Sequence, residues 1–386
     1  MKIFDRSILR LPLFEERHRR LASEIEAWAD GASATLATPG GGSPSDVGRN
    51  LTRRLGAENW YAWSGAGGEA PDLRAVALIR EGFAFVHDLC DFAFSIQALA
   101  VAPLVQFGSE AQRECLLPDL ASGRKIGSFA LSEPAVGSDV ASVGLRAERR
   151  GNVYVLNGAK TWISNADIAD FHTVLARTGE GPGAMGLSMI HVPADIPGLS
   201  VSEMIVLTAP RSIGTLTFED CVVPEENLIG RPGLGFQIVT EVLEQYRPTV
   251  GAAAIGFARK ARATALAWAR SRRLTQGSVW DQQATKFTFA DGEVSLTAAA
   301  LLVAQATWEI DAGIQGYSKH SSIAKLFATE QAQKIVDDAV QTLGATGLVH
   351  GSPTETLYRQ IRSLRIYEGT SEIQRMIIAN QIGARL

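Results

Sequence analysis

Hydrophobic and polar positions divide the chain into a helical beginning, a middle rich in strand signals and a helical end. Near the N-terminus, Leu21, Ile25 and Trp28 recur at helical spacing, and residues 72–107 are apolar on more than one side, which is typical of buried helices. Between residues 127 and 232, short β-branched and aromatic runs alternate with turn residues. Spacings of about ten residues between these runs favour a small antiparallel sheet over repeated strand–helix–strand units.

The last third of the chain is again helical, and its first run extends for almost 40 residues with Pro248 as the strongest breaker. Because proline has no amide hydrogen, we expect a kink or a new helix start there. Two further helices are predicted over about 280–313 and 319–343. The predicted fold class is α+β, mainly α, with an N-terminal helical domain (residues 1–125), a central small antiparallel β-barrel or sandwich domain (126–233) and a C-terminal four-helix bundle (234–386).

Charge and cysteine content exclude several classes of protein. The chain has 37 Lys and Arg against 41 Asp and Glu, a net charge of −4, so we expect neither a nucleic-acid nor a membrane partner. Three widely spaced cysteines and six scattered histidines predict neither a disulfide framework nor a metal site. The N-terminus lacks the apolar core of a signal peptide, and no uninterrupted apolar stretch approaches 18 residues, so we expect a cytoplasmic protein without a transmembrane span.

Three short motifs could carry chemistry, and each also has a purely structural interpretation. The hydroxyls and backbone amides of LSEPAVGSD (Leu131–Asp139) could bind phosphate, although such a sequence alone is more often a simple turn. In NGAKTWISNA, Trp162 could stack on an aromatic cofactor or pack against a neighbouring strand. In IYEGTSEIQR, Glu368 is either a solvated glutamate or a buried carboxylate with the raised pKa that a general base for a C–H proton requires.

Taken together and in this order, these motifs resemble those of the acyl-CoA dehydrogenase family of flavoproteins. The resemblance extends to DAVQTLGATG (Asp338–Gly347), to FEDCVVPEENLIG and to the terminal helix, and so covers nearly the whole chain. It implies non-covalent FAD between the β domain and the C-terminal helices, acyl-CoA as substrate, an electron-transferring flavoprotein as acceptor, and a homotetramer built as a dimer of dimers.

The resemblance also assigns individual residues. Glu368 matches the family's catalytic base, and Arg272 matches an arginine that reaches the FAD pyrophosphate of a neighbouring subunit. Positions that match contacts to FAD are Phe129, Leu131, Ser132, Gly137, Ser138, Trp162, Ser164, Arg272, Gln283, Gln341, Gly344, Thr370 and Glu372. Positions assigned to the substrate are Gln97, Ser138, Tyr246, Arg247, Tyr367 and Gly369.

Two further positions bear on the choice of Glu368 as the base. Some relatives place their base on the long helix, just before the arginine that is Arg247 here, but this chain has Tyr246 at that place, which leaves Glu368. Asp91 is a further carboxylate on a helix expected to face the acyl pocket. Members of the family that act on cyclic acyl groups use an acidic residue in this region, whereas the ordinary interpretation is a helix-capping or solvated aspartate.

The function expected from the sequence is α,β-dehydrogenation of an acyl-CoA thioester to a trans-2-enoyl-CoA. Gln97 and Tyr246 point to a short, branched or cyclic acyl group. Three alternatives remain open at this stage: an oxidase on the same scaffold, an enzyme that acts on an acyl-carrier protein, and a non-catalytic acyl-CoA-binding homologue.

Overall fold

The computed structural model describes residues 2–36 and 42–383. The chain divides into two compact units, which we name the helical unit and the sheet unit. The helical unit comprises Met1–Thr38, Leu73–Asp91 and Glu244–Leu386. The sheet unit comprises Pro39–Asp72 and Phe92–Leu243.

Along the chain, helices come before and after the strands of a central sheet, which confirms the predicted fold class. The predicted domain boundaries near residues 125 and 233 stay a prediction. The α-helices are α1 (Arg6–Leu9), α2 (Glu16–Leu36), α3 (Pro44–Ala57), α4 (Leu73–Val86), α5 (Asp88–Phe107), α6 (Glu110–Ala121), α7 (Gly235–Ser271), α8 (Gln283–Asp311), α9 (Ser318–Leu343), α10 (Pro353–Ile361) and α11 (Ser371–Gly383).

Helix α7 runs without interruption through Pro248, so the predicted new helix start at this residue is wrong. Proline cannot donate to the carbonyl four residues earlier, which belongs to Glu244. In this structure the hydroxyl of Ser321 on α9 donates to that carbonyl at 2.5 Å. The missing helical hydrogen bond is therefore replaced by one from a neighbouring helix, and α7 continues.

Strands of the sheet unit form one sheet with a well-defined order. They are β1 (Gly127–Ala130), β2 (Arg146–Arg150), β3 (Val153–Ser164), β4 (Phe171–Arg177), β5 (Leu187–Pro193), β6 (Leu199–Met204), β7 (Ile213–Pro224) and β8 (Leu228–Ile229). The order is β6-β7-β3-β2-β4-β5-β8, and β1 pairs with β4. Neighbouring strands are antiparallel except for β1 and β4, which are parallel, and one parallel bridge between β2 and β4.

The sheet is stabilised by an apolar core that includes Tyr154, Leu156, Leu216 and Phe218, all at most 2% exposed. Along β7 these core residues alternate with the half-buried Thr215 and Thr217, as the period of two in the sequence predicts, whereas on β3 the intervening Val155 is buried as well. The β3–β7 register shifts between Lys160 and Ile163, so the end of β3 is irregular.

Helix α9 is central to the helical unit, because it packs against α8, α10 and α11. Its buried face consists mainly of small residues, among them Ala324, Ala328 and Ala332, and also contains Lys325. Small side chains allow close approach of neighbouring helices, whereas Lys325 places a long charged side chain on this buried face.

Two helices, α5 and α8, are long and apolar enough to cross a membrane by length and composition alone. The most apolar window of α5 is 83% buried inside the protein, and that of α8 is 28% buried. Core helices of soluble proteins meet the same criterion.

Candidate active site

The turn that carries Glu368 lies just before α11, in the helical unit. Glu368 and Gly369 both have positive φ values, 52° and 87°. A positive φ is uncommon for a residue with a Cβ and costs on the order of 1 kcal/mol or more, so it persists only where the surroundings hold it.

Two buried side chains hold this turn by its carbonyl groups. The ammonium group of Lys325 donates to the carbonyl of Tyr367 at 3.0 Å and to that of Gly369 at 2.6 Å. The amide nitrogen of Gln374 donates to the carbonyls of Glu368 and Gly369 at 3.3 and 3.0 Å. Burial lowers the pKa of Lys325 to about 8, against the opposing influence of Glu368. The orientation of Glu368 is thus fixed by hydrogen bonds on both sides of it.

The carboxyl group of Glu368 is withdrawn from water, with a side chain only 11% exposed. Its Oε1 lies 4.0 Å from Nη1 of Arg80, and its Oε2 has no hydrogen-bond partner among the described residues. Burial raises the pKa of Glu368, which Arg80, Lys325 and Arg247 oppose and Asp91 reinforces. The structure therefore supports the interpretation as a buried base and not the one as a solvated glutamate.

Arg80, on α4, forms a buried ion pair with Asp91, on α5. Its Nε and Nη2 donate to the two oxygens of Asp91 at 2.8 and 3.1 Å, and its Nη1 donates to Thr249 at 2.9 Å. Asp91 is 3% exposed, so the expectation of a solvated or merely capping aspartate is wrong. This pair could not be predicted from the sequence, because its members lie on different helices.

Tyr246 and Arg247 lie on α7 and are both buried. The hydroxyl of Tyr246 and the Nε and Nη1 atoms of Arg247 have no hydrogen-bond partner among the described residues, although Arg247 Nη1 lies 4.0 Å from Glu244 Oε1. Burial raises the pKa of Tyr246, and the Glu368 carboxylate acts in the same direction. Buried donors without partners are costly, so these two side chains fit a ligand that accepts hydrogen bonds.

Gln97 does not have the role that the resemblance implied. It is fully buried in the sheet unit, its amide nitrogen donates to the carbonyls of Leu120 and Lys125, and its oxygen accepts from the amide of Gly127. Since backbone groups occupy both ends of the side-chain amide, Gln97 is a structural residue that holds β1 in place and is not available to line an acyl pocket.

In the sheet unit, Trp162 occupies the irregular end of β3. It has a φ of 61° and an indole that is 58% exposed, which is unusual for tryptophan. Cross-strand packing in the core is therefore the wrong interpretation for this ring. An exposed flat face on a rigid strand fits an aromatic ring system such as a flavin.

The loop after β1 is fastened to β3 beside Trp162. The carbonyl of Ser132 accepts from the amide of Thr161 at 2.9 Å, and Lys160, fully buried, donates to the Leu131 carbonyl and to Glu133, both at 2.8 Å. Burial lowers the pKa of Lys160 to about 8, against the influence of Glu133. These contacts bring the predicted residues Leu131 and Ser132 to the strand that carries Trp162.

The other predicted residues of the sheet unit lie close along the chain to this loop. Ser164 accepts a hydrogen bond at its carbonyl from Ser128, next to the half-buried Phe129. Gly137 and Ser138 lie in an exposed turn, and a side chain at Gly137 would meet nothing within 4 Å.

The FAD positions predicted in the helical unit lie at helix ends. Thr370 is half-buried, and the other FAD positions of this unit are exposed; Tyr367, a predicted substrate position, is also half-buried. Arg272 follows α7, Gln283 begins α8, Gln341 and Gly344 lie at the end of α9, and Thr370 and Glu372 flank the start of α11.

Family models and curated relatives match this chain over most of its length. Models of the acyl-CoA dehydrogenase N-terminal, middle and C-terminal domains match residues 15–124, 128–221 and 233–383. The mitochondrial short-chain specific acyl-CoA dehydrogenase of Rattus norvegicus is 37% identical over 287 residues, which are 74% of this chain and 69% of that protein. The probable acyl-CoA dehydrogenase FadE25 of Mycobacterium tuberculosis is 34% identical over 320 residues, 82% of each chain.

The chain belongs to the acyl-CoA dehydrogenase family.

Among solved structures, butyryl-CoA dehydrogenase from Megasphaera elsdenii has a TM-score of 0.88 at 27% identity and covers 96% of this chain and 98% of its own. As an acyl-CoA dehydrogenase, the protein is an FAD-dependent oxidoreductase that acts on acyl-CoA. The residues present fit this cofactor, because Trp162 offers an exposed aromatic face and the neighbouring loop is rigidly held.

Four residues of this acyl-CoA dehydrogenase were missed by sequence reasoning: Arg80, Lys325, Lys160 and Glu133. The last two lie inside motifs that drew attention for other residues. For Lys325 the available signal was a lysine among the alanines of a buried helix face, since lysines are rarely buried without a partner.

Proposed function

We propose that this protein converts a short, branched or cyclic acyl-CoA to its trans-2-enoyl-CoA, with Glu368 as the base. Glu368 removes a proton from the carbon next to the thioester, while a hydride leaves the adjacent β-carbon and a C=C bond forms. FAD, when bound, supplies the two-electron oxidation by accepting that hydride.

The observation that carries this proposal is the environment of Glu368. One carboxylate oxygen is buried and has no partner in the described part of the chain, and burial raises the pKa of the group. A stronger base removes a weakly acidic C–H proton more readily, and the unpartnered oxygen is available to receive it.

The acidity of that proton depends on polarisation of the thioester carbonyl. We propose that the backbone N–H of Glu368 donates to this oxygen. In support, Lys325 and Gln374 fix the carbonyl groups of the same turn, and so fix the peptide planes.

A small acyl group is supported by Tyr246, whose large side chain is buried and is electrostatically coupled to Glu368. The similarity to a short-chain specific and to a butyryl-CoA dehydrogenase points in the same direction. Gln97 no longer contributes to this argument.

We further propose that electrons pass to an electron-transferring flavoprotein and that the protein is a homotetramer. A solved structure described as the electron-transferring flavoprotein of Acidaminococcus fermentans contains a chain with a TM-score of 0.86 at 28% identity. Phe287 and Val294 of α8 are 58% and 70% exposed, and exposed apolar side chains of this size are common in subunit interfaces.

The test is the variant Glu368→Gln, which keeps the shape of the side chain and removes the base. We expect FAD content and acyl-CoA binding to be unchanged, and anaerobic bleaching of the flavin by butyryl-, isobutyryl- and cyclohexanecarboxyl-CoA to slow by about 10²- to 10⁴-fold. Glu24→Gln, at an exposed glutamate of α2, is the matched control and should bleach at the wild-type rate.

Bleaching at the wild-type rate in Glu368→Gln would remove this residue from the reaction. Rapid oxygen uptake during turnover would favour an oxidase, and bleaching only by long straight-chain substrates would contradict the proposed acyl group.

A further inference from the structure

The ion pair between Arg80 and Asp91 lies directly beside the catalytic base. The two side chains are 2% and 5% exposed, and Nη1 of Arg80 is 4.0 Å from Oε1 of Glu368. The Nε and Nη2 atoms of Arg80 each donate a hydrogen bond to one oxygen of Asp91.

This arrangement solves an electrostatic problem of the proposed reaction. A guanidinium about 4 Å from a buried carboxylate stabilises the ionised form and so lowers its pKa. Such a shift would weaken Glu368 as a base, although the attraction between the two charges helps to orient it.

We propose that Asp91 is a positioning residue, which acts through Arg80: it offsets the positive charge that faces Glu368 and fixes the guanidinium by two hydrogen bonds. Arg80 then orients the base while Asp91 preserves its basicity. The inference rests on the proposed role of Glu368 as the base.

Other charged and titratable groups near Glu368 make this compensation necessary. Arg247 from α7 and Lys325 from α9 both favour the ionised form of Glu368, and Asp91 opposes them. Tyr246 is a buried phenol whose pKa burial raises, so it adds no negative charge. Tyr367, next to Glu368 along the chain, gives its carbonyl to Lys325.

The same geometry argues against Asp91 as a proton acceptor from the substrate. Each of its oxygens already accepts a hydrogen bond from Arg80, whereas one oxygen of Glu368 has no partner among residues 2–36 and 42–383. Thr249 completes the arrangement, because it accepts from Arg80 Nη1 and itself donates to the Tyr246 carbonyl at 2.7 Å.

The experiment compares the pH dependence of flavin bleaching by butyryl-CoA in the FAD-loaded wild type and in Asp91→Asn. Asparagine keeps the shape and removes the charge. The acid limb of the kcat/KM profile is the pH range in which the rate falls because Glu368 becomes protonated. We expect this limb to move down by about one pH unit or more, and the plateau rate to fall roughly tenfold, because the base is weaker. Asp91→Glu, which restores the charge, should return the limb towards its wild-type position.

A second buried ion pair on α4 provides the control. Asp311 of α8 pairs with Arg74, six residues before Arg80 on α4, and the two side chains are 7% and 8% exposed. Asp311→Asn removes a buried charge from such a pair away from Glu368, so it should cost stability but leave the acid limb in place.

Three results would overturn the inference: an acid limb that does not move in Asp91→Asn, an equal movement in Asp311→Asn, or loss of bleaching at every pH without a shift. The last result would make Asp91 a direct participant. If Glu368→Gln loses activity but the acid limb of Asp91→Asn does not move, the proposed function stands and only this inference is rejected.

If Asp91→Asn does not fold, the double variant Arg80→Gln/Asp91→Asn decides. It removes both charges together, so its acid limb should lie no lower than that of the wild type. A lower limb would contradict the compensation that we propose.

Discussion

At the scale of single residues, the active-site turn shows how an uncommon backbone conformation is maintained. Glu368 adopts a positive φ, and four hydrogen bonds from Lys325 and Gln374 to the carbonyls of residues 367–369 stabilise it. Lys325 has no carboxylate within hydrogen-bond distance in the described structure and directs its donors to the main chain instead. Its contribution to the reaction is therefore geometric.

We predict that Lys325→Met reduces turnover by about 10- to 100-fold, because the carbonyls of Tyr367 and Gly369 lose their donor and the base shifts. FAD content should change little. Steady-state kinetics and the flavin spectrum measure the two effects. Lys334→Met, at a 60% exposed lysine on the same helix, is the control and should retain the wild-type rate.

The contacts of individual side chains were the feature least predictable from the sequence. Glu368 could be singled out because its motif resembles that of a family. The environment of Asp91 could not, since its burial depends on Arg80, which lies on the preceding helix. Gln97 was misassigned for the same reason: nothing local reveals that three backbone groups occupy its amide.

At the scale of elements, the long helix α7 shows how one hydrogen bond from outside compensates for a proline. The Ser321 hydroxyl takes the place of the missing Pro248 amide at the Glu244 carbonyl, and Ser318 donates to the Glu244 side chain at 2.7 Å. As a result Tyr246, Arg247 and Thr249 stay on one regular helix.

We predict that Ser321→Ala destabilises the protein by about 1 to 3 kcal/mol, because the Glu244 carbonyl loses the donor that replaces the missing amide. In a Pro248→Ala background the helix supplies its own amide, so the same substitution should cost distinctly less. Thermal unfolding of the four proteins at one concentration gives this comparison. Equal effects in both backgrounds would mean that Ser321 acts independently of Pro248.

Element type could be predicted from periodicity, whereas local irregularities could not. The pattern of β3 predicts a strand, but not the register shift that turns the indole of Trp162 outwards. The parallel pairing of β1 with β4 was also unpredicted, because strand order depends on contacts distant in sequence.

At the scale of the whole molecule, two buried histidines link the stability of the sheet unit to pH. His172 and His191 lie on the neighbouring strands β4 and β5, and their Nδ1 atoms have no hydrogen-bond partner among the described residues. Burial lowers the pKa of each histidine to about 4. A positive charge on His191 lowers the pKa of His172 further, and Lys125 does the same for His191.

Because an unfolded histidine has a pKa near 6.5, the unfolded chain binds more protons than the folded one between about pH 6.5 and 4. Stability should therefore be fully present above pH 6.5 and decline as the pH falls, by up to about 3 kcal/mol for each histidine. We predict a smaller decline in Tm between pH 7 and 5 for His172→Gln/His191→Gln. His350→Gln, at an 88% exposed histidine, should decline like the wild type.

Segmentation of the chain into helical, strand-rich and helical parts could be predicted from the sequence, since each part has its own period and composition. The grouping of α4 with the C-terminal helices in the helical unit could not, because α4 packs against α8 more than 200 residues away.

Helix α9 has a consequence for motion within the helical unit. Ser321, which binds α7, and Lys325, which binds the turn of Glu368, are four residues apart and so lie one helical turn apart on the same face. If α9 moves along its axis, Tyr246 and Arg247 on α7 and the turn of Glu368 should move with it. The distance between Glu368 and these two residues should then stay constant during fluctuations of the fold, and hydrogen exchange at residues 246–249 and 367–369 should change together.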